Sequence, residues 1–264
     1  MTGRVHCTVE NAIATLVLDN PGRRNAVSYT VFEAFHAAIS KLSEMPEVRV
    51  VILSGHGADF SVGADLAAPA ESRTLRRDSV AADTARLRKV STALLDFHQM
   101  PQITIAAIDG ACAGAGLSLA AAADLRIATD RAVFNTAFVG AGLSGDLGGV
   151  WLLNNIVGAA RARELFLEPT KLVATEALRL GLVSSVVPAS ALQDTAQDLA
   201  FRLARSAPLA LRSMKENLLQ ASHTSLGNYL PAEVDRMVRC FHSDDAREAA
   251  AAFLDKRAPV FVGR

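Results

Sequence analysis

The stretch that most limits how this chain can fold is residues 103–127, ITIAAIDGACAGAGLSLAAAADLRI. A run of strand formers ends at Ile108, glycines follow at Gly110, Gly114 and Gly116, and residues 117–123 are nearly all alanine and leucine. The pattern predicts a buried strand, a tight turn and a buried helix. A helix opening on such small residues leaves its first N–H groups unpaired, with the positive end of the helix dipole behind them. Side chains are almost absent there, so a ligand meets the main chain itself. Those amides suit an oxygen on which negative charge develops.

Around this unit the chain reads as α/β. Residues 5–10 and 12–19 form a predicted hairpin turning at Asn11, and Ser28 caps a predicted helix with Phe32, Phe35, Ile39 and Leu42 on one side. Residues 48–54, VRVVILS, read as a strand buried on both faces. Two further loops share the small-residue character, 55–66 (GHGADFSVGADL) and 139–151 (VGAGLSGDLGGVW). Between them, residues 69–82, with Arg73, Arg76 and Arg77, read as mobile surface open to ordering by a ligand. From residue 150 onward the chain turns helical, apart from a strand in 182–187. Leu226, Leu230, Val234, Met237 and Val238 share one side of a predicted helix, which fits either core or a subunit contact.

With 264 residues, half of them hydrophobic, a large core is within reach. The 27 basic and 27 acidic residues balance, so no general attraction to nucleic acid or an anionic membrane is implied. Cys7, Cys112 and Cys240 lack the spacing of a disulfide framework or a zinc site, which fits a reducing cytoplasm. No apolar run approaches the roughly 20 residues needed to cross a bilayer, and residues 1–3 lead into strand-like sequence without a leader's apolar segment. The expectation is a cytoplasmic protein with no membrane or nucleic-acid partner and no metal.

Four kinds of function compete for the glycine loops. Gly140, Gly142 and Gly145 satisfy GxGxxG, with Glu164 downstream, but Asp146 would stand beside the pyrophosphate and repel it. Ser118 in GLSLA, with Asp146 and His223 after it, has the chain order of an α/β-hydrolase triad, yet it falls inside the predicted helix rather than at a strand-to-helix elbow. A binding or scaffold protein needs no acid or base, and the histidines show no ligand spacing. The fourth kind joins all three loops and holds an oxyanion on main-chain amides.

Residues 20–28 (NPGRRNAVS), 60–66 (FSVGADL), 105–128 (IAAIDGACAGAGLSLAAAADLRIA), 142–149 (GLSGDLGG) and 176–188 (EALRLGLVSSVVP) together resemble the enoyl-CoA hydratase/isomerase, or crotonase, family over nearly the whole chain. The resemblance implies an α/β fold with a ββα spiral core over 1–190 that carries the acyl-CoA site. It also implies a helical region, 191–264, that builds trimers or hexamers. Substrates are expected to be acyl-CoA thioesters, with CoA part of the substrate and no separate cofactor. An oxyanion hole is implied from the N–H groups of Ala64 and Ala115. For CoA and the acyl group the resemblance points to Arg24, Ala26, Gly63, Asp65, Leu66, Gly114, Ser118, Phe138 and Gly142, and to Phe253 and Lys256 of this or a neighbouring subunit. Many relatives have lysine where Ala67 stands, so one adenine-side contact is lost.

Hydratases of this family carry two glutamates where this chain has Ser118 and Phe138, so the two-glutamate route to hydration lacks its acids. Asp146 resembles the aspartate of double-bond and ring isomerases, where it shuttles a proton, and of halobenzoyl-CoA dehalogenases, where it is a nucleophile. Its plainer reading is a cap for the helix at Val150. Among Phe138, Leu143 and Leu147 its carboxyl is expected to have a raised pKa suited to base work. Isomerisation is the expectation, because one acid can move a proton between two carbons while hydration must also activate water. Dehalogenation lacks a placed histidine for its hydrolytic water.

Overall fold

The computed structural model describes residues 3–264. A hairpin of β1 (Arg4–Glu10) and β2 (Ile13–Asp19) opens the chain, followed by α1 (Tyr29–Ser43), β3 (Val50–Gly55), α2 (Val80–Gln99) and β4 (Ile103–Ile108). The glycine-rich centre then gives β5 (Ala111–Ala113) and α3 (Ala115–Ala122), with β6 (Leu125–Thr129) and β7 (Val133–Asn135) beyond it. Next come α4 (Gly149–Leu167), β8 (Leu172–Val173), α5 (Ala174–Arg179) and β9 (Ser185–Val187). Four helices close the chain: α6 (Leu192–Ala204), α7 (Pro208–Ala221), α8 (Leu226–Phe241) and α9 (Asp244–Leu254).

Six strands form one sheet in the order β1-β2-β3-β4-β6-β9, parallel except at the hairpin. Parallel strands need covering on both faces, and β3 shows how the sequence provides for it. Val51 and Leu53 face a core with Phe35, Phe97 and the alanines of α3, while Val50 and Ile52 face a second cluster with Leu192, Ala196 and Ala200 of α6. The small residues on α6 let it lie close to the sheet. The helical region expected from residue 191 therefore begins with a helix of the sheet's own outer layer.

A second sheet, β5-β7-β8, stands beside the first. Its strand β5 lies inside what the sequence predicts as a plain turn, since three residues are too few to show a period of two. The 69–82 segment, expected to be mobile, is instead tied down: Arg73 donates to Ala68 O (2.8 Å), Arg86 to Thr74 O (3.0 Å), and Asp83 accepts the amides of Arg76 and Arg77 (both 2.9 Å). Arg73 and Arg76 each give a side-chain donor to a local carbonyl. In α4 the helical pattern breaks at Gly158, with φ 79°.

α7 is anchored to the core by Lys215, whose buried ammonium reaches Asp124 Oδ2 (2.8 Å) and Gln102 O (2.9 Å). Beyond it α8 buries no residue, and its Leu226, Val234, Met237 and Phe241 are exposed. Of the two readings of that apolar side, ordinary core within this chain is excluded. No helix among the described residues is long and apolar enough to cross a membrane.

Candidate active site

Three loops meet where the turn after β3 runs between the loop after β2 and the turn after β4. On one side Phe60 N–H donates to Asp109 O (2.7 Å), Ser61 N–H to Ala111 O (3.0 Å), and Ala113 N–H returns a bond to Ser61 O (3.0 Å). On the other, Val62 donates to Arg24 O (3.2 Å), Val27 to Gly63 O (2.8 Å) and Asp65 to Val27 O (2.9 Å). Gly63 N–H goes to Ser61 Oγ (3.2 Å) and Leu66 N–H to Ala64 O (3.0 Å). Between residues 60 and 66, Ala64 alone has an N–H without a partner among the described residues.

α3 supplies the facing donors. Gly114, at φ 50°, gives its N–H to Asn135 O and accepts that of Ser118 (both 3.0 Å), which leaves the amides of Ala115, Gly116 and Leu117 unpaired among the described residues. Ser61 and Cys112 form a parallel bridge, and three residues further along each segment stand Ala64 and Ala115. The segments lie close together. A Cβ on Gly63, at φ 92°, would sit 2.8 Å from Ala113 O and 3.3 Å from Ala115 N, so only glycine fits. Gly116 packs against Ser61 in the same way, a Cβ there falling 2.6 Å from Ser61 O.

Asp146 reaches this neighbourhood through the start of α4. The turn passes through Gly145, Leu147 and Gly148, all at positive φ, and the buried Leu147 side chain holds its own strained backbone in place. Gly149 lies directly on α3, where a Cβ would overlap Ser118 Oγ. Ser118, one turn into α3 and 1% exposed, is 3.4 Å from both Gly114 O and Asp146 O, to which its hydroxyl donates. The Asp146 carboxyl itself has no hydrogen bond among the described residues, and its Oδ1 is buried. Burial without compensation raises its pKa from 3.8 to about 6. It does not cap α4, since the capping residue is Gly148 and no side chain bonds there. Beyond Asp146, Leu147 and Gly148 line an apolar cavity of about 370 Å³ with Leu94, His98 and Trp151.

The other expected site residues divide into two groups. Arg24 makes a bidentate pair with Asp59 (2.7 and 3.0 Å) at the surface, which holds that carboxyl below the usual range. Ala26 is buried, its carbonyl accepting from Asn20 Nδ2 (2.7 Å), and Asp65 accepts from the same amide (3.1 Å). Leu66 is exposed at the loop's outer edge. Phe138 is buried and stacks on Phe166 at 6.3 Å, with Gly142 closing the next turn at φ 70°. Phe253 (84% exposed) and Lys256 lie apart, at the end of α9, with no hydrogen bond to these loops. Ser61, Asn25 and Asp59 were not singled out from sequence. The available signal was a serine two residues before a glycine, the pattern of a hydroxyl-closed turn.

This geometry removes two of the competing functions. Ser118 lies mid-helix without a histidine, and His223 pairs with Ser222 (3.2 Å). Residues 140–145 open no helix after a strand, as a dinucleotide turn must. What remains is a set of free amides on two adjoining turns and a desolvated acid, an arrangement that can hold an anionic oxygen and move a proton.

The comparisons with known proteins agree on the family. The family model for enoyl-CoA hydratase/isomerase matches residues 8–264. A probable enoyl-CoA hydratase of Rhodobacter capsulatus is 35% identical, covering 97% of this chain and 96% of its own. A 1,2-epoxyphenylacetyl-CoA isomerase of Escherichia coli is 33% identical, covering 97% of each. Among solved structures, a putative enoyl-CoA hydratase/isomerase of Mycobacterium abscessus superposes with a TM-score of 0.92 at 38% identity, covering 98% of this chain and all of that one. The spiral of parallel strands flanked by glycine turns is thus the crotonase-like fold, and the chain belongs to the enoyl-CoA hydratase/isomerase family.

Proposed function

We propose that the protein is a double-bond isomerase of unsaturated acyl-CoA thioesters that uses one acid. The observation that carries the reading is the half-buried Asp146 carboxyl beside α3, its Oδ1 enclosed without a partner and its pKa near 6. A carboxyl with that pKa is half ionised near pH 6 and mostly ionised at neutral pH, ready to take a proton and able to give it back. Asp146 removes the α-proton of a β,γ-enoyl-CoA, and the electron pair spreads through the diene onto the thioester oxygen. The amides of Ala64 and Ala115 meet that charge. Asp146 then returns the proton to the γ-carbon, leaving the α,β-unsaturated product. Ser118 and Phe138 offer no second carboxylate to activate water.

CoA is taken along the loops that carry Arg24, Ala26, Asp65 and Leu66, with Phe253 and Lys256 contributed by α9 of this or a neighbouring copy. The uncovered apolar side of α8 supports self-association into trimers or hexamers. Hydration is the second reading, because relatives at equal distance carry hydratase names. The test is incubation of 2- and 3-hexenoyl-CoA with the protein in deuterated water. Deuterium entering the α- and γ-carbons without a hydroxyacyl product is expected. A 3-hydroxyacyl-CoA formed as fast as label enters assigns hydration instead, and binding of CoA with neither reaction assigns a non-catalytic role.

A further inference from the structure

The two turns that carry Ala64 and Ala115 are separate in sequence, and something must fix the distance between them. We infer that Ser61 is the positioning residue that sets it, an inference resting on the oxyanion-hole reading above. Ser61 is 0% exposed, and every polar group it has is engaged in tying one loop to another. Its N–H and carbonyl bracket Cys112, bonding Ala111 O and Ala113 N at 3.0 Å each. Its hydroxyl donates to Asn25 O (2.8 Å) on the opposite loop and accepts Gly63 N–H (3.2 Å). That last bond matters most for the adjacent Ala64. With the Gly63 amide satisfied internally, the peptide that follows is turned so that the Ala64 N–H is the loop's one free donor. Gly116 leaves no room for Ser61 to shift towards α3, since their atoms already meet there.

Removing the hydroxyl leaves Gly63 N–H and Asn25 O unpaired in a buried place, and the cheapest relief is rotation of the Gly63 peptide towards a new acceptor. That rotation carries the Ala64 amide with it while the main-chain bridge to Cys112 survives. Ser61→Ala therefore spares the fold and weakens the grip on the carbonyl oxygen. A misplacement of this kind costs on the order of 10- to 100-fold in kcat.

The experiment compares wild type, Ser61→Ala and Ser61→Cys. Infrared difference spectra of bound butyryl-CoA carrying ¹³C at the thioester carbonyl read the hydrogen bonding of that oxygen directly. Wild type is expected to lower the carbonyl stretch relative to free thioester. Ser61→Ala should lose most of that shift, with kcat down by about 10-fold or more and KM changed less than kcat. Ser61→Cys, which keeps a weaker hydrogen bonder, should fall between, and it provides the same readings should the alanine variant not fold. A Ser61→Ala protein with the full wild-type shift overturns the inference, whether or not its kcat falls, because the damage would then lie elsewhere. A wild-type protein that gives no shift overturns the oxyanion-hole reading itself, which is a separate failure.

Discussion

Replacing Asp146 by asparagine should make the protein more stable and inactive at once. Burial raises the folded-state pKa of this carboxyl from 3.8 to about 6, and each unit corresponds to about 1.4 kcal/mol, so holding the ionised form in the folded protein costs on the order of 3 kcal/mol at neutral pH. Asparagine has the shape of the protonated acid without its charge. The sign follows from linkage. Below pH 4 the acid is protonated in both folded and unfolded chains, and Asp146 and its asparagine variant should unfold alike. Between pH 4 and 6 the unfolded chain ionises while the folded one resists, so the folded protein loses stability steadily; above 6 the deficit is constant. Urea titrations of both proteins at pH 4.5 and 8 measure the gap, which should be about a third of its full size at the first pH and near its full size at the second. The same pair tested for exchange of label into 3-hexenoyl-CoA should show wild-type rates declining as pH falls below about 6, and no exchange by the variant at any pH. A gap independent of pH, or an asparagine variant less stable than wild type at pH 8, would mean that the carboxyl is compensated in solution and that its proposed chemistry has lost its basis.

Two further substitutions probe what holds the site in place. Gly63→Ala puts a Cβ 2.8 Å from Ala113 O at a φ of 92°, and the strain, about 1–3 kcal/mol, falls on the turn before Ala64; a lower urea midpoint with at least tenfold slower exchange is expected, and an unchanged midpoint would show that the turn yields freely. Lys215→Met removes the buried partner of Asp124 and should cost about 3 kcal/mol, the low end for a broken buried pair because Thr104 still donates to that carboxylate through N–H and Oγ1. Replacing Asp124 as well, Asp124→Leu with Lys215→Met, should recover part of the loss in a double-mutant cycle, and strict additivity would refute the coupling.

Much of the scaffold could be read from the chain because its signals are local. Residues 50–53 are an unbroken apolar run and 103–108 are apolar except for Thr104, and a strand covered on both faces keeps such a run in place. The glycine turns were visible for the same reason, as places where side chains are excluded. The parts that were not visible depend on partners distant in sequence. Ser61 takes its meaning from Asn25 and Cys112, contacts that leave no period or motif; Asp146 can be singled out in the sequence, but the packing of Gly149 on Ser118 that sets its turn cannot. The apolar stripe on α8 was ambiguous for a different reason. A stripe records that a face is to be covered, and a sequence does not say by which chain.

The proposal that Asp146 is the working acid draws support from how the protein treats its other polar groups. Among the described residues three buried side-chain atoms lack a hydrogen bond: Asp19 Oδ1, Gln102 Oε1 and Asp146 Oδ1. The first belongs to a carboxylate whose other oxygen binds His6 at 2.9 Å, with His56 3.7 Å from the orphaned one. The second belongs to an amide whose nitrogen donates to Leu42 O at 2.8 Å. Each residue is held, and one of its atoms goes unserved. Asp146 is different in kind, since neither carboxyl oxygen has a protein partner among the described residues: Oδ1 is enclosed and Oδ2 faces solvent. A serine one turn into the neighbouring helix donates to its main-chain carbonyl instead. A fold that withholds a side-chain donor from this carboxyl raises its pKa towards 6, which fits the proposed taking and returning of a proton near neutral pH.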